Sequence, residues 1–304
     1  MSTAGSDPER ICIIFNPTAK GEGAKRLKSR LHGLDRACAL KPTFAAGTAR
    51  PLAAEAVREG FGTIVAMGGD GTIHEVVNGM ADEPDGFIRS RLGVLPVGTV
   101  NVFARELGVP FHFQRAWQVI CRGKEIRIDL PAMRFATKAG RELRRFVQMA
   151  GAGLDARAVE LMDWELKKRV GQLAYVASGF RALGEKAKPL RVTNQGREYS
   201  GPLVLIGNGR LYGGPIPLFH RADLRDGLLD ICVFPRVNWF VILRYACAYL
   251  WPRLLLRGGE MHFQAASVAI EGDVATPVEL DGEHVGYVPA TCDVARQAMR
   301  VVVP

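Results

Sequence analysis

No uninterrupted apolar run of about 18 residues occurs in this 304-residue chain, so the sequence offers no conventional spanning helix. Its most apolar stretch, Trp239–Leu256, is broken by Arg244 and Arg253. Cysteine is sparse: Cys12, Cys38, Cys121, Cys232, Cys247 and Cys292 are scattered, with no C-x-x-C pair and no histidine at zinc spacing. That excludes a zinc ribbon and a disulfide framework, and predicts reduced, buried thiols. Low-complexity linkers and long-period repeats are absent. The first ten residues, MSTAGSDPER, are polar and have no signal-peptide core, so the expected location is cytoplasmic. Acidic residues are outnumbered 31 to 40, leaving a net charge of +9. The partners to expect are anionic: a nucleotide, a membrane surface or nucleic acid. No nucleic-acid-binding motif accompanies the charge, and nucleic acid is set aside.

What the chain does have is a strand-to-glycine pattern, repeated. Ile11–Phe15 reads as a buried strand and leads to Asn16-Pro17-Thr18-Ala19-Lys20-Gly21-Glu22-Gly23, then to a helix predicted from Ala24 to Leu34. Ile64–Met67 runs into Gly68-Gly69-Asp70-Gly71-Thr72, followed by helical spacing of Ile73, Val76, Val77 and Met80. Leu92–Pro96 leads to Val97-Gly98-Thr99-Val100-Asn101 and a helix to about Leu107. None of these loops is a G-x-x-x-x-G-K-[ST] or G-x-G-x-x-G signature. Strands alternating with helices predict a parallel α/β sheet, and ligands of such sheets bind at the carboxyl ends of the strands. Glycine lets a backbone approach an anion closely, and a helix start supplies N–H donors. The carboxylate and hydroxyl in Gly68–Thr72 suit a metal–nucleotide better than bare phosphate.

Past Ile126 the segments become short and turn-punctuated: Arg127–Arg134, Phe146–Met149, Leu190–Thr193, Leu203–Gly207, Leu229–Phe234, Ser267–Ile270, Val278–Leu280 and Met299–Val303. This predicts a mostly antiparallel β domain. Two helical stretches interrupt it. One spans Ala156–Gly184, with Leu161, Trp164, Leu173, Val176 and Phe180 on its apolar stripe; the other lies near Trp239–Leu256.

Asn16-Pro17, Gly68–Thr72, Glu75-Val76-Val77-Asn78-Gly79 and Pro96–Asn101 together resemble the diacylglycerol kinase catalytic-domain family, which includes bacterial soluble lipid kinases and sphingosine kinases. The resemblance covers nearly the whole chain. Gly-Gly-Asp-Gly-Thr alone is shared with NAD kinases; the flanking Glu75–Gly79 and Thr99–Asn101 favour the lipid-kinase branch.

The resemblance implies an α/β domain (NAD kinase/diacylglycerol kinase-like, residues 1–128, completed by a C-terminal strand at 292–304) and a mostly antiparallel β-sandwich domain (129–291), with a nucleotide cleft between them. It implies ATP contacts from Asn16, Pro17, Thr18, Ala19, Lys20, Thr43, Gly69, Asp70, Gly71, Thr72, Ile73, His74, Glu75 and Thr99. Taken by itself, Thr43 reads as a solvated strand end.

In the second domain, Asp223 and Asp226 precede a glycine turn, and oxygen-rich loops suit a hard cation. The resemblance implies a structural Mg2+ held by Asp226 with the main-chain oxygens of Asp223 and Leu228, separate from the Mg2+ that accompanies ATP. Without it, Asp226-Gly227 reads as an ordinary hairpin turn. Asp281-Gly282 reads as another such turn. The resemblance makes the next residue, Glu283, the general base for an acceptor hydroxyl, and Asp70 an aid to the nucleotide and its metal. His284 reads as a surface histidine. Asp129 falls at the domain junction, where the resemblance links it to the metal region.

One departure stands out: many relatives read Gly-Thr-x-Asn-Asp where this chain has Val102. The implied activity is transfer of the ATP γ-phosphate to a hydroxyl of diacylglycerol or a related lipid. An NAD kinase-like phosphotransferase and a non-catalytic lipid- or nucleotide-binding regulator stay open. Trp239, Phe240, Tyr245, Tyr249, Trp251 and nearby arginines read either as an amphipathic helix on an anionic membrane or as a helix covering the β domain. Lys167-Lys168-Arg169 and Arg141–Arg145 are further basic clusters, more simply read as solvated faces. Monomer and homodimer are left open.

Overall fold

A computed structural model describes residues 7–17, 34, 38–162, 181–182, 184, 188–248 and 259–304. The chain divides into two compact units, Met1–Ile128 with Gln297–Pro304, and Asp129–Arg296. The helix expected at 24–34 and most of the stripe expected within 156–184 lie outside the described residues, as do 249–258.

The first unit is built on a parallel sheet. Strands β1 (Asp7–Phe15), β2 (Cys38–Pro42), β3 (Phe61–Gly68) and β4 (Arg91–Pro96) stand in the order β2-β1-β3-β4. Ile13 pairs with Leu40 and Val65, and Val65 with Gly93. Ile11–Ile14, Ile64–Met67, Leu92, Val94 and Leu95 are all buried, the continuous apolar pattern of strands covered on both faces. Helix α1 (Ala49–Arg58) follows β2 and α2 (Asp70–Asp82) follows β3. They pack so closely that a Cβ on Gly79 would lie 2.0 Å from the carbonyl oxygen of Arg50. A short α3 (Gly86–Arg89), α4 (Val102–Glu106) and α5 (Phe113–Arg122) complete the unit. The buried face of α5 is Phe113, Ala116, Trp117 and Ile120, at helical spacing.

The second unit is a mostly antiparallel β-sandwich. Its strands are β5 (Lys124–Thr137, entered from the first unit), β6 (Gly140–Arg145), β7 (Met149–Gly153), β8 (Leu190–Asn194), β9 (Arg197–Gly201) and β10 (Leu203–Gly207). After them come β11 (Leu229–Phe234), β12 (Met261–Ala265), β13 (Ser267–Glu271), β14 (Pro277–Leu280) and β15 (Glu283–Val303). One sheet path runs β12-β11-β10-β7-β14-β15. Strand β15 pairs first with β14, then with β13, and its end, Val301, lies beside Leu92 in the first unit's sheet. Val204, Ile206, Ile231 and Val233 face one core; Leu205, Cys232 and Phe234 face a second, with Tyr212, Leu218 and Phe219. Burial on both faces explains why β10 and β11 are apolar throughout rather than alternating. Helix α6 (Leu154–Glu160) follows β7, and α7 (Trp239–Ala248) follows β11.

The six cysteines are all free; Cys12, Cys232 and Cys292 are buried and the other three are half-buried. Burial pushes the Cys12 thiol up to about 12, so it stays protonated at neutral pH. Among the described residues no helix is long and apolar enough to cross a membrane.

Candidate functional site

Three strand ends place the candidate residues of the first unit. Strand β1 ends at Phe15, so Asn16 is exposed and Pro17 half-buried at its carboxyl end; Thr18, Ala19 and Lys20 lie outside the described residues. Thr43 is buried, with only 6% of its surface exposed, and its N–H donates to the carbonyl of Phe15 at 2.8 Å. It is therefore fixed beside the β1 loop rather than solvated, which corrects the simple reading of that position.

The loops after β3 and β4 form one structure. The N–H of Val97 donates to the carbonyl of Gly68 at 3.1 Å. A Cβ on Gly98 would stand 2.6 Å from the Cα of Gly69, so the two backbones touch and only glycine fits at 98. A Cβ on Gly68 would meet the hydroxyl oxygen of Thr72 at 2.2 Å. Asp70 reaches across and accepts N–H groups from Val102 at 3.1 Å and Phe103 at 3.2 Å, at the start of α4. Asn101 occupies the left-handed region at φ 51°, and its Nδ2 donates to the carbonyl of Gly98 at 2.7 Å.

Glu75 is spent on architecture. Its carboxylate accepts from the N–H of Gly47 at 2.7 Å and of Ala49 at 2.8 Å, the start of α1. A carboxylate there favours the positive end of the helix. Ile73 and His74 are buried on the packed face of α2.

Two observations test whether this cradle suits a phosphate and its metal. Helix α2, thirteen residues long, starts at Gly69 without any side-chain cap, so its first N–H groups are not taken by a capping residue. The Oδ1 of Asn101 is buried with no hydrogen-bond partner among the described residues, next to the touching glycines. N–H donors and an unused carbonyl oxygen are a donor set that fits a polyphosphate with a hydrated divalent cation.

The second unit holds the other candidates. Asp226 Oδ1 accepts the N–H of Leu228 at 2.9 Å, and Asp223 Oδ1 accepts the N–H of Arg225 at 3.0 Å. Gly227, at φ 79°, donates its N–H to Asp129 Oδ2 at 2.6 Å, and the N–H of Asp129 donates to the carbonyl of Leu224 at 2.6 Å. Asp129 is fully buried and tied to this loop. Burial first, and the carboxylates of Asp223 and Asp129 with it, push the Asp226 carboxyl above its ordinary range. Among the described residues no group of three His, Cys, Asp or Glu side chains is placed to hold a metal ion; the Asp223 and Asp226 carboxylates accept N–H groups of their own loop.

Leu280 pairs with Glu283, leaving Asp281 and Gly282 as a two-residue turn at φ 50° and 83°. Both positive values match the Asp-Gly hairpin read from the sequence. Asp281, almost buried, accepts the N–H groups of Val147 at 3.0 Å, Gln148 at 2.9 Å and Met149 at 3.2 Å. Sequence reasoning missed this role, because the donors lie more than 130 positions away. Glu283 follows directly, half-buried. His284 is half-buried too: its ring stands edge-on to Tyr287, with centroids 5.2 Å apart, and burial lowers its pKa.

On α7, Val241 packs against the second core while Trp239, Phe240 and Leu243 are 51%, 61% and 45% exposed. The helix covers the sandwich with one face and leaves bulky apolar side chains on another.

Residues 10–133 match the diacylglycerol kinase catalytic domain, and residues 148–303 the YegS C-terminal NAD kinase beta sandwich-like domain. A diacylglycerol kinase of Staphylococcus aureus strain MRSA252 is 30% identical over 289 residues, covering 93% of this chain and 88% of its own. The crystal structure of a diacylglycerol kinase from Bacillus anthracis strain Sterne superposes with a TM-score of 0.74 at 25% identity, covering 97% of each chain. Yeast NADH kinase complexed with NADH shares the fold, with a TM-score of 0.53 at 10% identity over 98% of this chain and 84% of its own.

Proposed function

The chain belongs to the diacylglycerol kinase catalytic-domain family, and on that premise we propose that it is an ATP- and Mg2+-dependent lipid kinase whose acceptor is a hydroxyl of diacylglycerol or a related lipid. The observation that carries this reading is the glycine cradle, in which Gly69 and Gly98 touch beside an uncapped helix start and the unpartnered Oδ1 of Asn101.

In this reading the N–H groups at the start of α2, with Thr72 and Thr99, hold the phosphates. Asp70 keeps the β3 and β4 loops together rather than acting alone on the metal. The Mg2+ that accompanies ATP would lie near Asn101, where its charge offsets that of the phosphates. The acceptor hydroxyl oxygen bonds to the γ-phosphorus as the bond to the β–γ bridging oxygen breaks. Glu283 takes the hydroxyl proton, and ADP leaves. Asp226, with the main-chain oxygens of Asp223 and Leu228, would hold a second, structural Mg2+. The exposed Trp239, Phe240 and Leu243 supply the contact with the lipid surface.

The test is transfer of label from γ-labelled ATP to diacylglycerol in mixed micelles, with Glu283→Gln and Gly98→Ala as controls. Label in phosphatidic acid that is lost in both variants supports the reading. Label in NAD in place of lipid transfers the assignment to the NAD kinase branch. ATP binding without transfer to any hydroxyl leaves a regulator.

A further inference from the structure

Beneath the Asp281–Gly282 turn lies a buried pair of acids that the proposed reaction does not use. Glu279 on β14 is fully buried and sits opposite Gly151 of β7 and His284 of β15. Asp155, on the first turn of α6, is buried as well. The two carboxyls share the space a side chain at 151 would take: a Cβ on Gly151 would lie 2.6 Å from Asp155 Oδ2 and 2.7 Å from Glu279 Oε1. Asp155 Oδ2 and Glu279 Oε1 therefore crowd the same spot inside the second unit. Two ionised carboxylates have no donor between them and repel, so one proton held between them relieves the crowding.

The surrounding donors say which group holds it. Asp155 Oδ1 accepts the hydroxyl of Tyr212 at 2.5 Å, which suits an ionised Asp155. Glu279 Oε2 accepts the N–H of Gly282 at 2.7 Å, which leaves Oε1 to carry the proton toward Asp155. The groups that face the pair include Tyr212 from the loop after β10, Asp281 from the turn and His284 opposite Glu279 on β15; burial and the Asp281 carboxylate disfavour a second negative charge. Burial raises both acids, Asp155 to about 6 and Glu279 well above the usual carboxylate range.

We propose that Glu279 is a neutral carboxylic acid in the working protein, sharing its proton with Asp155, and that this pair is the positioning element that fixes the Gly282 amide and so aims Glu283. Asp281 clamps the turn to the three N–H groups at the start of β7, and Glu279 clamps the next residue from inside. Glu283 is one bond further along the chain. The aiming role rests on the reading of Glu283 as the base; the protonation of Glu279 does not.

The test uses the full chain and three substitutions. The infrared spectrum of the wild-type protein at neutral pH is expected to show the carbonyl stretch of a buried protonated carboxylic acid, absent from Glu279→Gln. Hydrogen exchange at the Gly282 amide is expected to stay slow in Glu279→Gln, whose amide oxygen still accepts that N–H, and to become fast in Glu279→Leu. In the diacylglycerol assay Glu279→Gln is expected to keep kcat near wild type. Glu279→Leu is expected to lose about 100-fold in kcat, the scale of a misplaced reacting group, with the KM for ATP unchanged.

A wild-type spectrum without the acid band, or Glu279→Gln falling as far as Glu279→Leu, overturns the neutral acid. Slow Gly282 exchange in Glu279→Leu overturns the clamp. If Glu279→Leu does not fold, the band and the Glu279→Gln results still decide. Activity surviving in Glu283→Gln removes the base reading instead, and the spectrum and exchange judge the pair without it.

Discussion

The carboxylate of Asp70 accepts the backbone N–H of Val102 at 3.1 Å, with that of Phe103 beside it at 3.2 Å, so the start of one helix caps the start of another. Position 102 thus contributes its main chain here, and the side chain of Val102 is buried. Removing Asp70 would leave two amides without their acceptor. Hydrogen bonds to a charged group contribute about 1.5–3 kcal/mol each. Asp70→Ala is therefore expected to lower the urea midpoint by about 2 kcal/mol or more of stability. Asp70→Asn, which keeps one accepting oxygen, should lose less. Equal loss in both variants would mean that the charge, and not the two hydrogen bonds, matters.

Gly98 is the sharper probe of the cradle. A Cβ there meets the Cα of Gly69 at 2.6 Å and the Oδ1 of Asn101 at 2.7 Å. Backbone cannot rotate away as a side chain can, so Gly98→Ala pushes the two loops apart. Overpacking costs about 1–3 kcal/mol, and if that falls on the nucleotide site it weakens ATP by about tenfold or more. Calorimetric titration of ATP into the folded variant checks this. Unchanged affinity would place the nucleotide elsewhere.

The parallel core was legible because β1, β3 and β4 are apolar runs that lead into glycine-bearing loops, a pattern set by local chemistry. Strands β10 and β11 were legible for the same reason. The strands that escaped, β2, β6, β9, β12 and β15 before Met299, are edge or partly exposed segments such as Gly140–Arg145, whose composition gives no apolar run to read. Of the candidate site, the glycine loops and the Asp281–Gly282 turn were visible because turns carry their own residue code. The architectural uses of Asp70, Glu75, Asp281 and Glu279 were not. Each carboxylate binds main-chain amides, and amides have no sequence signature. Only folding brings Asp281 to Val147, or Glu279 to Asp155.

The acidic loop of the second unit gives a metal test that needs no turnover. Asp226 shares its surroundings with Asp223 and Asp129, and Asp129 is wholly buried. A divalent cation bound to the folded loop alone would stabilise by about 2.7 kcal/mol when its free concentration is 100 times Kd. Mg2+ is expected to raise the melting temperature of the wild-type protein, EDTA to reverse the gain, and Asp226→Asn to abolish it. A Mg2+ response intact in Asp226→Asn would assign the ion to another site.

Two histidines bear on stability in acid, with a sign opposite to that of the acid pair. Burial lowers the pKa of His262, helped by His220 and Arg221, and burial lowers that of His284 against the pull of Glu160. The unfolded chain then takes up protons near pH 6.5 that the folded chain refuses. Their contribution is fully present above about pH 6.5 and is lost as pH falls toward the folded values. Asp155, raised to about 6, works the other way: its folded form binds the proton more tightly, so its contribution is present in acid and lost as pH rises through about 6. Between pH 7 and 5 the two effects oppose each other in the wild-type protein. Replacing one histidine uncovers the acid. Urea midpoints of His262→Gln are expected to fall less on acidification than those of the wild type, and Asp155→Asn midpoints to fall more. Parallel curves for wild type and His262→Gln would mean that the imidazole is hydrated in the folded chain.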